Sequence, residues 1–324
     1  MLIAFRPSPE AICESRSINE QFVTQQRIIS IWRKYGVLCH ESPTWKDSML
    51  RKVIDSAMGP DAARLWKKAV ANPTQYLRLP ARPHCPGDSS QPVGDDDPRL
   101  VFISESEAAG KYRLESTAIS EAKDGVEFCR ASCCDQAQAV LRMENSLNQG
   151  LKCGDSLNLV WRERFAPLVR ESRTIQIVDR YVCKQRKGFE DFLKRVGTVH
   201  PRAGRRNVRV YAELAPQDVG SVRAWLSGSV VQSLIQASVG GQGSGGQFVL
   251  YRNDPSIPYG DVFKARFFEF DGERRVTLDH GTEAFARTKI KQAHVPFAYQ
   301  VGGPVLKIVP EWDAVFTWPE TTRC

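Results

Sequence analysis

The sequence predicts an α/β protein: a helix-rich α/β amino-terminal part followed by a mixed-sheet carboxy-terminal domain. Three observations carry this. Apolar residues three and four apart recur through the first hundred positions, the period of amphipathic helices. Beyond Asp155, short β-branched runs alternate with such stretches in the order β-α-β-α-β-β-β-α-β. Between them, Pro80 to Pro98 is rich in proline, glycine and acids and disfavours regular structure. The expected divisions are 1–98, a connecting α/β region 99–154, and 155–324.

Leu2 to Phe5 reads as a short apolar strand. Ile18, Phe22, Ile28, Ile29 and Trp32 follow at helical spacing, and Gly36 stands just past the last turn as a terminator. Two more helices are expected, Trp45 to Met58 and Asp61 to Val70, the second opening on Pro60. The stripe Phe22, Ile29, Trp32 and Trp66 reads as core rather than as a platform for bases. Leu100 to Ile103 is a strand, with one strand or hairpin near Lys111 to Ser116 and a helix from Asp135 to Asn148.

A helix from Asp155 to Arg170 carries Leu157, Val160, Trp161, Phe165, Leu168 and Val169 on its apolar side. Ile175, Ile177 and Val178 form a strand expected to be central and covered on both faces, because it is short and β-branched. Phe189, Phe192, Leu193 and Val196 mark one helix face, Val208 to Leu214 the next strand, and Val222 to Ala237 a second helix. The glycines from 240 to 246 make a flexible connection, since the P-loop pattern is absent. Phe248 to Tyr251, Val262 to Phe270 and Arg275 to Leu278 supply three strands, with Asp271-Gly272 turning between the last two. Thr282 to Lys289 is a helix and Val305 to Val309 a late strand.

No apolar run approaches the roughly 18–20 residues of a membrane helix, so no membrane partner is expected. The start, Met1 to Pro7, lacks the pattern of a secretory signal, which makes the cytoplasm the expected compartment. The nine cysteines are read as reduced thiols, and none shows the paired spacing of a zinc site. Glu105, Glu107, Asp124 and Glu127 read as surface acids rather than metal ligands. Neither metal nor cofactor is expected. The net charge of +8 is concentrated on residues 173–324, whereas 1–172 is nearly balanced. A basic half points to an anionic partner, most often nucleic acid or phosphate.

Three features of that half stand together. Asp179-Arg180-Tyr181 ends a buried strand, where open α/β sheets place their ligand sites. Lys264 and Arg266, two apart, project from one face of a strand, as do Phe268 and Phe270. Thr277 to Glu283 turns from a strand into a helix start, which favours anions. Arg202, Arg205, Arg206 and Arg209, with Lys184, Arg186 and Lys187, form a further basic cluster suited to a phosphate backbone or to solvent.

With Ile175, Ile177, Asp179 and Tyr181 in one strand, Arg266, Phe267 and Asp271 in a second motif, and Gly281 and Phe285 in a third, residues 155–290 resemble the phospholipase D superfamily. The pattern is similar to the phospholipase D-like domain of MIT-domain proteins and to bacterial domains linked to phage defence. The resemblance implies a mixed-sheet phospholipase D-like domain over 155–324 and phosphate binding by Lys264, Arg266, Asp179 and Tyr181. Active members use a histidine nucleophile, and this sequence has Lys264 at that place, a protonated and poorly nucleophilic group. The expected function is therefore a degenerate, nucleic-acid- or phosphate-binding subunit of a multi-protein bacterial defence system, with other protein subunits as partners. The alternatives are an active phosphodiesterase or nuclease, with His280, Lys264 and Glu283 as catalytic candidates, and a structural docking subunit.

Overall fold

The computed structural model describes residues 2–14, 17–73, 75–80, 98–241, 243, 245–253, 266–291, 294–302 and 313–319. The protein is α/β, with two compact units, Leu2–Ser146 and Leu147–Cys324. Each contains a mixed sheet of its own.

The first unit comprises β1 (Ile3–Pro7), α1 (Pro9–Cys13), α2 (Ile18–Tyr35), β2 (Gly36–His40), α3 (Met49–Ser56), α4 (Pro60–Val70), β3 (Leu77–Pro80), β4 (Leu100–Ile103), α5 (Glu105–Ala109), β5 (Ser120–Lys123), β6 (Val126–Arg130) and α6 (Gln138–Asn148). Its sheet runs β3-β2-β1-β4-β6-β5, with every pair parallel except β5 with β6. The expected boundary at residue 98 is therefore not a boundary between units. Phe5 pairs with Leu100, so the segments on either side of Pro80–Pro98 share one sheet. Residues 81–97 lie outside the described residues.

Four strands escape the period reading. β2 follows α2 with no polar spacer, because Gly36 both ends the helix and starts the strand. A Cβ on Gly36 would stand 2.8 Å from Trp32 Cα and against the Phe5 ring, so only glycine lets β2 begin there. β3 is short and only partly buried. The expected hairpin near Lys111–Ser116 lies further on, as β5 and β6, turned by Asp124 and Gly125 at φ 51° and 79°. Tyr112 and Leu114 are instead loop residues buried against Val126 and Phe128. Trp32 and Trp66 are fully buried, and their indoles donate to Leu77 O and Gln25 Oε1. That pairing makes them core, as expected.

The second unit comprises β7 (Leu151–Lys152), α7 (Leu157–Val160), α8 (Ala166–Glu171), β8 (Thr174–Val178), α9 (Arg186–Gly197), β9 (Asn207–Glu213), α10 (Val219–Leu226), α11 (Ser229–Ser238), β10 (Gln247–Asn253), β11 (Phe267–Phe270), β12 (Arg274–Leu278), β13 (His294–Val295), β14 (Phe297–Val301) and β15 (Asp313–Trp318). Its seven-stranded sheet runs β14-β12-β11-β8-β9-β10-β15. β8, β9 and β10 are parallel, and the other neighbours are antiparallel. β8 is the middle strand and Ile175 to Val178 are buried, as its β-branched run predicts.

Local departures have local causes. The expected helix 155–170 is interrupted by a π-turn over Trp161–Phe165, where Ala166 N donates to Trp161 O just before Pro167. Proline lacks the N–H that would continue the ladder. The expected helix 222–237 breaks at Gly228 into α10 and α11. The expected helix 282–289 is a 3-10 turn over Gly281–Ala286. Val305–Val309 and residues 261–265 lie outside the described residues. Phe268 and Phe270 are 0% and 1% exposed, so they belong to the core and do not flank a cation surface. Phe165, Phe192, Phe268 and Phe285 meet with ring centroids 5.0–6.0 Å apart. Among the described residues, no helix is long and apolar enough to cross a membrane.

Candidate anion site at the carboxyl edge of the second sheet

Strand directions assemble this site. β11 runs antiparallel to β8 with Phe267 opposite Val178, which sets Arg266 beside the end of β8. β12 returns antiparallel to β11, and Leu278 N donates to Arg266 O at 3.1 Å. The chain from Asp279 to Thr282 therefore arrives at the same edge. The three features singled out in the sequence converge there, with one gap: Lys264 lies outside the described residues.

Tyr181 is the centre of the arrangement. The guanidinium carbons of Arg180 and Arg266 stand over its ring, 4.6 and 4.7 Å from the centroid. Such stacking orients a guanidinium and costs it few of its hydrogen-bond donors. Arg266 Nη1 is buried and makes no hydrogen bond among the described residues. A buried charged donor without an acceptor costs about 1–3 kcal/mol or more, and a bound anion would satisfy it.

Asp179 has a different task from the one expected. It is 1% exposed, and its carboxylate accepts from Thr282 N (2.8 Å), Thr282 Oγ1 (2.7 Å) and Tyr181 N (3.0 Å). It ties the end of β8 to the Gly281–Ala286 turn and positions Tyr181, and has no room for phosphate. Gly281, at φ 49°, is the only residue type tolerated there: a Cβ would run into Asp179 Oδ2 and stand 2.9 Å from Arg266 Cδ. Asp271 is likewise structural, accepting from Arg173 N and Thr174 N at 2.9 and 2.8 Å.

His280 and Glu283 lie at the same edge. His280 Nδ1 is 3.9 Å from Glu283 Oε2, beyond the 2.6–3.2 Å over which a base orients a nucleophile. Glu283 is held by Gln185 Nε2 at 2.9 Å and Arg287 Nη2 at 3.3 Å. The cavity that His280, Glu283 and Arg287 enclose with Ile290 and Val295 measures about 10 Å³, room for a single water. The arrangement fixes a turn more readily than it attacks a phosphodiester.

The arginine cluster does not join the site. Arg202 to Arg206 precede β9, at the opposite edge of the sheet, about 20 Å away over seven residues at ~3.3 Å each. Arg202 is paired with Glu171 at 2.8 Å. Arg206 is a correction to the expected anion contacts: it is 0% exposed, and its guanidinium donates to Val169 O, Val196 O, Val199 O and Ser238 O. Arg209 is half-buried in mid-strand beside Gln176 and Val249. Arg205 alone of the four is freely exposed.

The acids of the first unit are also committed. Glu105 pairs with Arg130, Glu107 completes the capping box of α5, and Glu127 accepts from Gln138 N and Ala139 N at 2.6 and 2.7 Å. Burial pushes the Cys134 thiol up to about 12 and the Cys129 thiol further still. Among the described residues, no group of three or more His, Cys, Asp or Glu is placed to hold a metal.

Sequence reasoning overlooked Arg180 as a binding residue and Gln185 and Thr282 as supports. Arg180 was marked by its place beside Tyr181 at a strand's carboxyl end, whereas the other two carried no signal. In comparison with known proteins, no family model matches the chain, and no curated protein matches it.

Proposed function

We propose that the Leu147–Cys324 unit binds phosphate-bearing polymers, single-stranded nucleic acid in the first instance, at the carboxyl edge of its sheet and without hydrolysing them. The observation that carries this is the pair of guanidinium groups on Tyr181, one of them with a buried donor that lacks a partner among the described residues. Two oriented cations match a backbone phosphate, and the outer face of a guanidinium laid on the ring can take a stacked base. The concentration of positive charge on the same half of the chain supports the reading through attraction at longer range. The resemblance to phospholipase D-like domains fits a phosphate site that has lost its nucleophile. It also motivates the wider proposal of a subunit working with protein partners in a bacterial defence system.

Fluorescence anisotropy with labelled single-stranded DNA and RNA at two salt concentrations tests it. Arg180→Ala combined with Arg266→Ala is expected to weaken binding at least tenfold and to flatten the salt dependence by about 0.7 for each phosphate the protein no longer neutralises. Folding should survive, because neither side chain fills core volume. Full binding by the double variant would remove the site from this edge. The second reading, a phosphodiesterase, rests on His280 and Glu283 standing in the same cluster. Strand cleavage that His280→Ala abolishes while binding persists would establish that reading instead.

A further inference from the structure

We infer that the cavity beside this site is a pocket for one guanine base of the bound strand. This inference rests on the phosphate-binding reading and adds a base preference to it. The cavity measures about 270 Å³ and opens between the carboxyl ends of β8 and β9, on the same edge as Arg180 and Tyr181. Pockets for drug-sized ligands occupy ~300–1,000 Å³, so this one suits a single base rather than two stacked ones.

Its lining is the informative part. Leu214 and Val222 give it apolar walls, Lys184 and Arg186 supply cations, and Glu213 and Asp218 supply carboxylates. Glu213, Asp218 and Lys184 make no ion pair among the described residues. Asp218 stands at the start of α10 without capping it. Arg186 is oriented by Ser221 Oγ at 2.9 Å and by the Trp225 ring at 5.1 Å.

Carboxylates are out of place in a site that binds phosphate alone, since they repel the backbone. They fit a site that also reads a base, because an exocyclic amino group and a ring N–H are donors that only an acceptor satisfies. Guanine carries both on one edge and presents two acceptors, O6 and N7, on the other. Acids opposite cations across an apolar slot match that distribution. Adenine and cytosine place an acceptor next to their amino group, which a carboxylate would face unfavourably.

Three labelled strands decide it: an all-thymidine strand, the same strand with one central guanosine, and the same with one central inosine, which lacks the exocyclic amino group. DNA and RNA versions of each, and GMP as competitor, distinguish the source of the base. Wild-type protein is expected to bind the guanosine strand roughly tenfold more tightly than the other two, the size of one well-made base contact. Asp218→Asn and Glu213→Gln should erase that preference, and thymidine strands should bind each variant at least as tightly as they bind wild type, because charge that repels the backbone is removed. Equal binding of all three strands by wild-type protein would overturn the pocket and leave the phosphate site standing. Binding of no strand, with GMP shifting the melting temperature and IMP not, would keep the pocket as a free-nucleotide site and overturn the strand reading. Silence from strands and nucleotides alike would overturn both.

Discussion

Replacing Arg206 by methionine is expected to lower the unfolding free energy by about 3–5 kcal/mol, the range for removing one side of a buried charged network. The guanidinium is wholly buried and lies where three helices end. Its Nη1 donates to Ser238 O at 2.8 Å and Val196 O at 3.5 Å; its Nη2 donates to Val169 O at 2.8 Å and Val199 O at 3.1 Å. Those carbonyls lie at or just past the carboxyl ends of α8, α9 and α11, where the helix dipoles are negative. Burial pulls the guanidinium down to about 10, so it keeps its charge at neutral pH. Methionine would fill much of the volume but leave four carbonyls without this donor. Arg205→Ala, one residue earlier and exposed, serves as the control and should change stability by no more than about 0.5 kcal/mol. Chemical denaturation of both variants gives the comparison. A decrease below about 1 kcal/mol in Arg206→Met would mean that water replaces the guanidinium at the helix ends.

The contrast between Arg206 and Arg266 marks what the sequence can disclose. Both are arginines in a basic half, next to strands, and nothing in their spacing separates them. The difference lies in partners supplied by distant segments: helix ends for Arg206, Tyr181 for Arg266. Asp179 illustrates the same limit, since its place at the end of a buried strand was legible but its commitment to Thr282, 103 residues away, was not. The convergence of Asp179, Arg266 and His280 was legible, because strand order and the Asp271-Gly272 turn fix which ends meet. In the first unit, Leu100–Ile103 was legible as an apolar run between turns. β2 was hidden because the expected helix terminator is also its first residue. The hairpin of β5 and β6 was marked by Asp124-Gly125, but the buried Tyr112 and Leu114 of the preceding loop imitated a strand.

Gly281→Ala and Asp179→Ala are each expected to cost about 2–4 kcal/mol and to abolish anion binding, although neither residue contacts the ligand in the proposed arrangement. Asp179→Ala removes three hydrogen bonds to a buried carboxylate and leaves Thr282 N–H, Thr282 Oγ1 and Tyr181 N–H without acceptors. Hydrogen bonds to charged groups are each worth about 1.5–3 kcal/mol, and the sum falls short of additive because the turn relaxes. Gly281→Ala acts through space and backbone together. At φ 49° an L-residue is strained, and the new Cβ would press on Asp179 Oδ2 and Arg266 Cδ. Arg266 would be pushed away from Tyr181, which separates the two cations that hold the phosphate. Thr282→Val isolates the smaller contribution: it keeps the shape and the backbone N–H but deletes the hydroxyl, for a decrease of about 1–2 kcal/mol. Binding is measured below the melting temperature of each variant, so that weakened affinity is not mistaken for unfolding. Folded Gly281→Ala protein that binds single strands as tightly as wild type would show that Arg266 does not need the Tyr181 ring, and the anion site would then have to be sought elsewhere on the sheet.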